Sequence, residues 1–100
     1  MKVAEMKQIL FNKLQDENAY FQKSDISIKK DGNRKYNIII KDYEHIPFTM
    51  SFEYDDIFEY HIIISDENEN IAFVECVKDY TDADIKLALI ELGYYIGTRF

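Results

Sequence analysis

One hundred residues with a net charge of −7 and 47% hydrophobic content make a single domain able to bury its own core. Three Gly and one Pro exclude a disordered or linker-rich chain, and a single Cys excludes an internal disulfide and a cysteine metal cage. No apolar run approaches the ~18 residues needed to cross a bilayer, so no membrane engagement is expected, and the single Cys suits a chain used in a reducing cytoplasm.

The first element expected is an amphipathic helix over about residues 2–20. Val3, Met6, Leu10 and Leu14 recur at helical spacing, and Ile9 and Phe11 widen the stripe. Charge interrupts this segment throughout, so it does not read as a signal peptide.

Five strand-like runs follow, at about 25–30, 34–42, 47–54, 58–65 and 71–77. The links between them are short, which favours antiparallel hairpins over crossovers. Lys30-Asp31-Gly32-Asn33 carries a strong hairpin signal. Pro47 falls at a strand's first position, where its missing donor is tolerated. Residues 48–64, FTMSFEYDDIFEYHIII, alternate large apolar residues with mostly polar ones. A three-residue loop from Asp55 to Ile57 keeps that alternation in phase, pairing Tyr54 with Phe58, Phe52 with Tyr60 and Met50 with Ile62. The same logic pairs Ile40 with Phe48 and Tyr36 with Phe52, with Ile26 and Ile28 inward. In the last strand, Ala72, Val74 and Cys76 point inward, because the opposite choice buries Glu75. Cys76 then reads as a small buried residue.

A second helix is expected over about 82–96. Thr81 caps it with Asp84 at the capping-box position, and Gly97 terminates it. Its apolar stripe is Ile85, Ala88, Leu89, Leu92 and Ile96. The fold class is therefore α+β: a five-stranded antiparallel meander flanked in sequence by two helices packed on one face.

The uncovered face then displays Lys35, Asn37, Ile39 and Lys41, then Thr49, Ser51 and Glu53. Beside them lie Glu59, His61 and Ile63, then Phe73, Glu75 and Val77, with Glu53 directly across from Glu59. Charge divides along the chain: residues 1–41 hold nine Lys/Arg against five Asp/Glu, and residues 42–91 hold two against fourteen. Net charges of +4 and −12 result. Such asymmetry bears on partners and solubility rather than on fold.

No motif for catalysis, phosphate or cofactor binding is present. His61 facing Glu75 lacks a nucleophile beside it, and His45 with Asp42 and Glu44 is too sparse for a metal site. The acidic loop 65–70 lacks the calcium-loop glycine and its distal Glu. The sequence therefore points to a non-catalytic module with no cofactor and no bound metal. Two ways of binding a partner are expected.

The first uses carboxylates, Glu53, Asp55, Asp56, Glu59, Asp66, Glu67 and Glu69, against a basic nucleic-acid-binding protein. Its most concrete form is a small DNA-mimicking inhibitor, of the anti-defence or anti-CRISPR kind carried by phages and mobile elements. Direct nucleic-acid binding has the wrong sign of charge. The second uses an apolar patch of Ile39, Ile63, Phe73 and Val77. A homodimer, an adaptor, an immunity protein or a secretion-type chaperone would use such a patch.

Overall fold

A computed structural model describes residues 1–17, 20–41 and 47–99. Helix α1 (Val3–Asp16) leads through a 3₁₀ turn at Lys23–Asp25 into five strands. These are β1 (Ile26–Lys30), β2 (Lys35–Ile40), β3 (Phe48–Asp55), β4 (Glu59–Ser65) and β5 (Asn70–Glu75), and helix α2 (Asp82–Gly97) follows. The strands form one antiparallel sheet in sequence order, β1 to β5. Both helices lie on one face: α1 rests on β1, α2 on β4 and β5, and the helices pack against each other. The expected α+β meander is the fold observed. The part of the first expected helix at 18–19, strand residue 42, and Asp42, Glu44 and His45 lie outside the described residues.

Periodicity accounts for the core. Met6, Leu10 and Leu14 of α1 and Ile85, Ala88, Leu89, Leu92 and Ile96 of α2 are buried. Opposite them, alternate residues of every strand point in, from Ile26 and Ile28 to Ala72 and Val74, with Cys76 just beyond β5. Each large side chain so removed from water contributes about 1.5–3 kcal/mol before the entropy of ordering is subtracted. Thr81 accepts a hydrogen bond from the Asp84 amide, and Asp84 accepts one from the Thr81 amide, so the expected capping box starts α2.

Two expected registers are corrected. Tyr54 pairs with Tyr60, Phe52 with Ile62 and Met50 with Ile64. Tyr36 pairs with Met50 and Ile38 with Phe48. Each ladder is displaced by two residues from the expectation. Side chains repeat with period two along a strand, so a two-residue displacement leaves every strand residue on its expected face. Apolar patterning could not distinguish the two. A further irregularity between Ile64 and Ser65 leaves Ile71 outside the β4–β5 ladder.

Gly97 does not terminate α2 in the expected way. The helix runs through it to Thr98, and among the described glycines only Gly32 has a positive φ, 75°. Gly97 is needed for closeness instead. A Cβ there would collide with Cβ and Cγ of Glu17, and one at Gly93 would lie 2.7–2.8 Å from Lys13 Cγ and Cβ. One helical turn apart, these glycines let α1 settle against α2, and Lys13 and Glu17, paired with each other along α1 at 2.9 Å, lie over them. Helix propensity alone predicts that Gly97→Ala stabilises the protein by up to about 1 kcal/mol. The packing predicts the opposite sign, a loss of about 1–3 kcal/mol, to be read from urea unfolding midpoints of the two proteins.

Candidate functional site

The site begins with a turn. The Asp55 carboxylate accepts hydrogen bonds from the amides of Ile57 (2.9 Å) and Phe58 (2.6 Å), which bends the chain immediately after β3. The loop is therefore Asp56 to Phe58, and Asp55 pairs with Glu59 across its base. Glu59 closes it with φ 55°, in the left-handed region that side chains avoid. Phe58, expected on the core side of a strand, sits in this loop and is free of the strand alternation. Its ring turns to the uncovered face.

There it meets His61. The imidazole is 3% exposed, and it is the buried polar residue among those described. The His61 ring stacks on Phe73 at 5.2 Å between centroids, and Phe58 lies edge-on to His61 at 6.0 Å and to Phe73 at 5.1 Å. Nδ1 donates to the Glu59 carbonyl at 2.9 Å. That bond turns Nε2 toward the Glu53 and Asp55 carboxylates, 3.6 and 3.7 Å away. Glu75 is the cross-strand neighbour of His61 as expected, but the ring is buried and its Nε2 faces Glu53 and Asp55, so the two do not make a surface ion pair. The expected opposition of Glu53 and Glu59 is also corrected, since Glu53 lies across from His61. An unfavourable like-charge pair is thus replaced by a carboxylate beside an imidazole.

The acidic residues fall into two groups. Glu53, Asp55, Asp56 and Glu59 surround the loop at one end of β4, and Glu75 joins them across the sheet. Asp66, Glu67 and Glu69 lie beyond the other end of β4, about 20 Å away along a seven-residue strand. Most of this second group has structural work. Asp66 accepts from the amides of Asn68 and Glu69, and Glu69 accepts from the Tyr95 hydroxyl. In the group before α2, Asp82 pairs with the Met1 amine and Asp84 caps the helix. The carboxylates therefore do not form one continuous row.

The four expected patch residues also separate. Ile63 and Phe73 pair across β4 and β5. Ile39 lies on β2 opposite Ser27, and Val77, 91% exposed, lies past the end of β5. What joins Ile63 and Phe73 instead is Phe58, with Ile57 exposed beside it in the loop. Across the rest of this face, Lys29 and Lys35 line up with Asn37 and Ser51, so positive charge occupies the β1–β2 side.

On the helix side of the same end, β3 and β4 extend past the helices. Tyr54 and Tyr60, both expected in the core, are 54% and 38% exposed. Tyr80 covers part of this region, donating its hydroxyl to the Glu53 carbonyl at 2.6 Å. Burial pushes the Tyr80 hydroxyl above its ordinary pKa, against the opposing charge of Arg34. Sequence reasoning did not single out Phe58 or Tyr80. The turn-forming Asp55 two residues before Ile57 was the signal for the first, and the chain's count of eight tyrosines the only one for the second.

Cys76 is buried, and burial followed by the Asp84 charge pushes its thiol up to about 11, so it is not a thiolate near neutral pH. Among the described residues no group of three His, Cys, Asp or Glu is placed to hold a metal ion. No helix among them is long and apolar enough to cross a membrane. No family model, curated protein or solved structure matches the chain.

The turn makes a prediction about acid. The Phe58 amide bond chiefly, opposed by desolvation and aided by the Ile57 amide and His61, holds the Asp55 carboxyl below its ordinary value of 3.8. A carboxyl depressed in the folded state contributes stability above the unfolded value and loses it as pH falls through the folded one. Below pH 3.8 the wild-type protein should therefore lose stability more steeply than Asp55→Asn, as followed by chemical unfolding between pH 5 and 2. Glu59→Asn, whose residue tolerates left-handed backbone, should raise stability by about 0.5–1 kcal/mol in the same assay at neutral pH.

Proposed function

We propose that the chain is a non-catalytic binding module that captures a basic protein at the β3–β4 loop end of its sheet. The observation that carries this reading is the juxtaposition of Phe58 and Phe73, both partly exposed and packed over His61, with Glu53, Asp55, Asp56, Glu59 and Glu75 around them. An aromatic centre inside a charged rim is the arrangement of a protein-binding hot spot. The rim's sign selects a basic partner. Its most concrete form is an inhibitor of a nucleic-acid-binding enzyme, of the anti-defence kind, working where that enzyme expects phosphate. A compact acidic pole with an apolar anchor supports this better than an extended imitation of duplex DNA, because the second acidic group stands apart and is tied up in its own turn.

A second reading has one observation in its favour. Strand β5 is a sheet edge, and Asn70–Glu75 carries Phe73 at 40% exposure with no Lys or Pro to discourage pairing. A homodimer or adaptor would use this edge.

Affinity capture from the source organism's lysate distinguishes them. A basic nucleic-acid enzyme, released by about 0.3–0.5 M salt and lost when Glu53→Gln, Asp56→Asn and Glu59→Gln are combined, is the outcome expected of the first reading. A dimer by sedimentation that Phe73→Ser dissociates while the fold survives is the outcome expected of the second.

A further inference from the structure

We infer that the cavity lined by Tyr54, Tyr60, Tyr80, Arg34 and Asp79 seats one cationic side chain of the basic partner, an arginine guanidinium in preference to a lysine ammonium. The inference rests on the binding reading above and names what that surface grips. The cavity is about 400 Å³, room for a single side chain. Its rings stand at steep angles to one another: Tyr54 and Tyr60 at 61° with centroids 5.0 Å apart, and Tyr60 and Tyr80 at 89° and 5.5 Å. A flat cation can therefore lie on one ring while meeting the edge or hydroxyl of the next. The cup is also preformed. Tyr80 is fixed by its bond to the Glu53 carbonyl, and the Asp79 carboxylate is held by the Tyr80 amide at 2.7 Å. Little side-chain entropy remains to be lost on binding.

The ring faces, with the carboxylates of the adjoining cavity, set the class of ligand. The adjoining cavity shares Arg34 and adds Glu53 and Asp55, so the two together carry three carboxylates against one guanidinium, with His61 buried behind them. Tyrosine faces attract cations, and a planar guanidinium stacks on them better than an ammonium does. Arg34 lines the cavity beside Asp79 and opposes a cationic ligand as a like charge, and that opposition gives the test its sign.

The probe is Nα-acetyl-arginine amide, with the isosteric but uncharged Nα-acetyl-citrulline amide as control, followed through the tyrosine ring protons by NMR. The arginine derivative should shift Tyr54, Tyr60 and Tyr80 along one saturable curve, and the citrulline derivative should not. Tyr54→Leu should weaken binding by about three- to tenfold while Tyr54→Phe retains it. Arg34→Gln should tighten it by about twofold. Equal response to both derivatives would reduce the cup to an apolar pocket, and weaker binding of the arginine derivative in Arg34→Gln would show that Arg34 helps seat the ligand instead of opposing its charge; either overturns the inference.

The two readings fail separately. A cavity that ignores the arginine amide, while the carboxylate substitutions still abolish capture, removes the seat and leaves the docking surface. A cavity that takes the arginine amide, while those substitutions leave capture unchanged, keeps the seat and removes the docking surface.

Discussion

One carboxylate decides where β3 ends, and the arrangement around His61 follows from that decision. By accepting the amides of Ile57 and Phe58, Asp55 starts the turn at its own position. Phe58 is thereby released from the ladder, and Glu59 is forced into a left-handed backbone. The released phenyl ring covers His61 together with Phe73, and the Glu59 carbonyl receives the Nδ1 proton. A buried imidazole normally requires both its polar atoms to be answered. Here the backbone answers one, and the other faces the Glu53 and Asp55 carboxylates at 3.6 and 3.7 Å. The residue that makes the turn therefore also helps hold the group the turn buries.

A second constraint is area. Two helices must cover the inner face of five strands, and they manage it by drawing close at Gly93 and Gly97, over which the Lys13 and Glu17 side chains of α1 lie. Close approach leaves the far end of the β3–β4 hairpin beyond their reach. That end carries tyrosines, which tolerate half-burial because each has an apolar body and a polar tip. The same hairpin thus offers an aromatic cup on its helix side and a phenylalanine pair on its outer side, with carboxylates between them.

Helices and strands were legible in the sequence because their periods are strong: the α2 stripe, the α1 stripe apart from exposed Val3, and the alternation of β3 and β4 fell to the faces expected, with loop residue Phe58 the exception. The facing of β5 was legible from the single cost of burying Glu75. Register was not, because a slip of two residues preserves every face, so Tyr54 pairing with Phe58 and with Tyr60 look alike in an apolar pattern. The partners of His61 were missed for the same reason, since they depend on register and on one loop residue leaving the ladder. The carboxylates were visible as a composition. Their separation into one group around the β3–β4 loop, anchored by Asp55, and a second group spent on its own turn and on the Tyr95 hydroxyl depended on hydrogen bonds that spacing does not encode.

These features make one end of the molecule both acidic and aromatic, and that coincidence is the central claim. Electrostatic attraction from the rim would bring a basic partner in and set its orientation, while the rings would supply the contact that resists salt. The most direct measurement is amide hydrogen exchange of the protein in complex with its captured partner. Slowed exchange confined to residues 53–61 and 73–80, with 66–69 and the exposed helix surfaces unchanged, is the predicted result. Protection at 66–69, along the helices or across the β1–β2 lysines instead would contradict it.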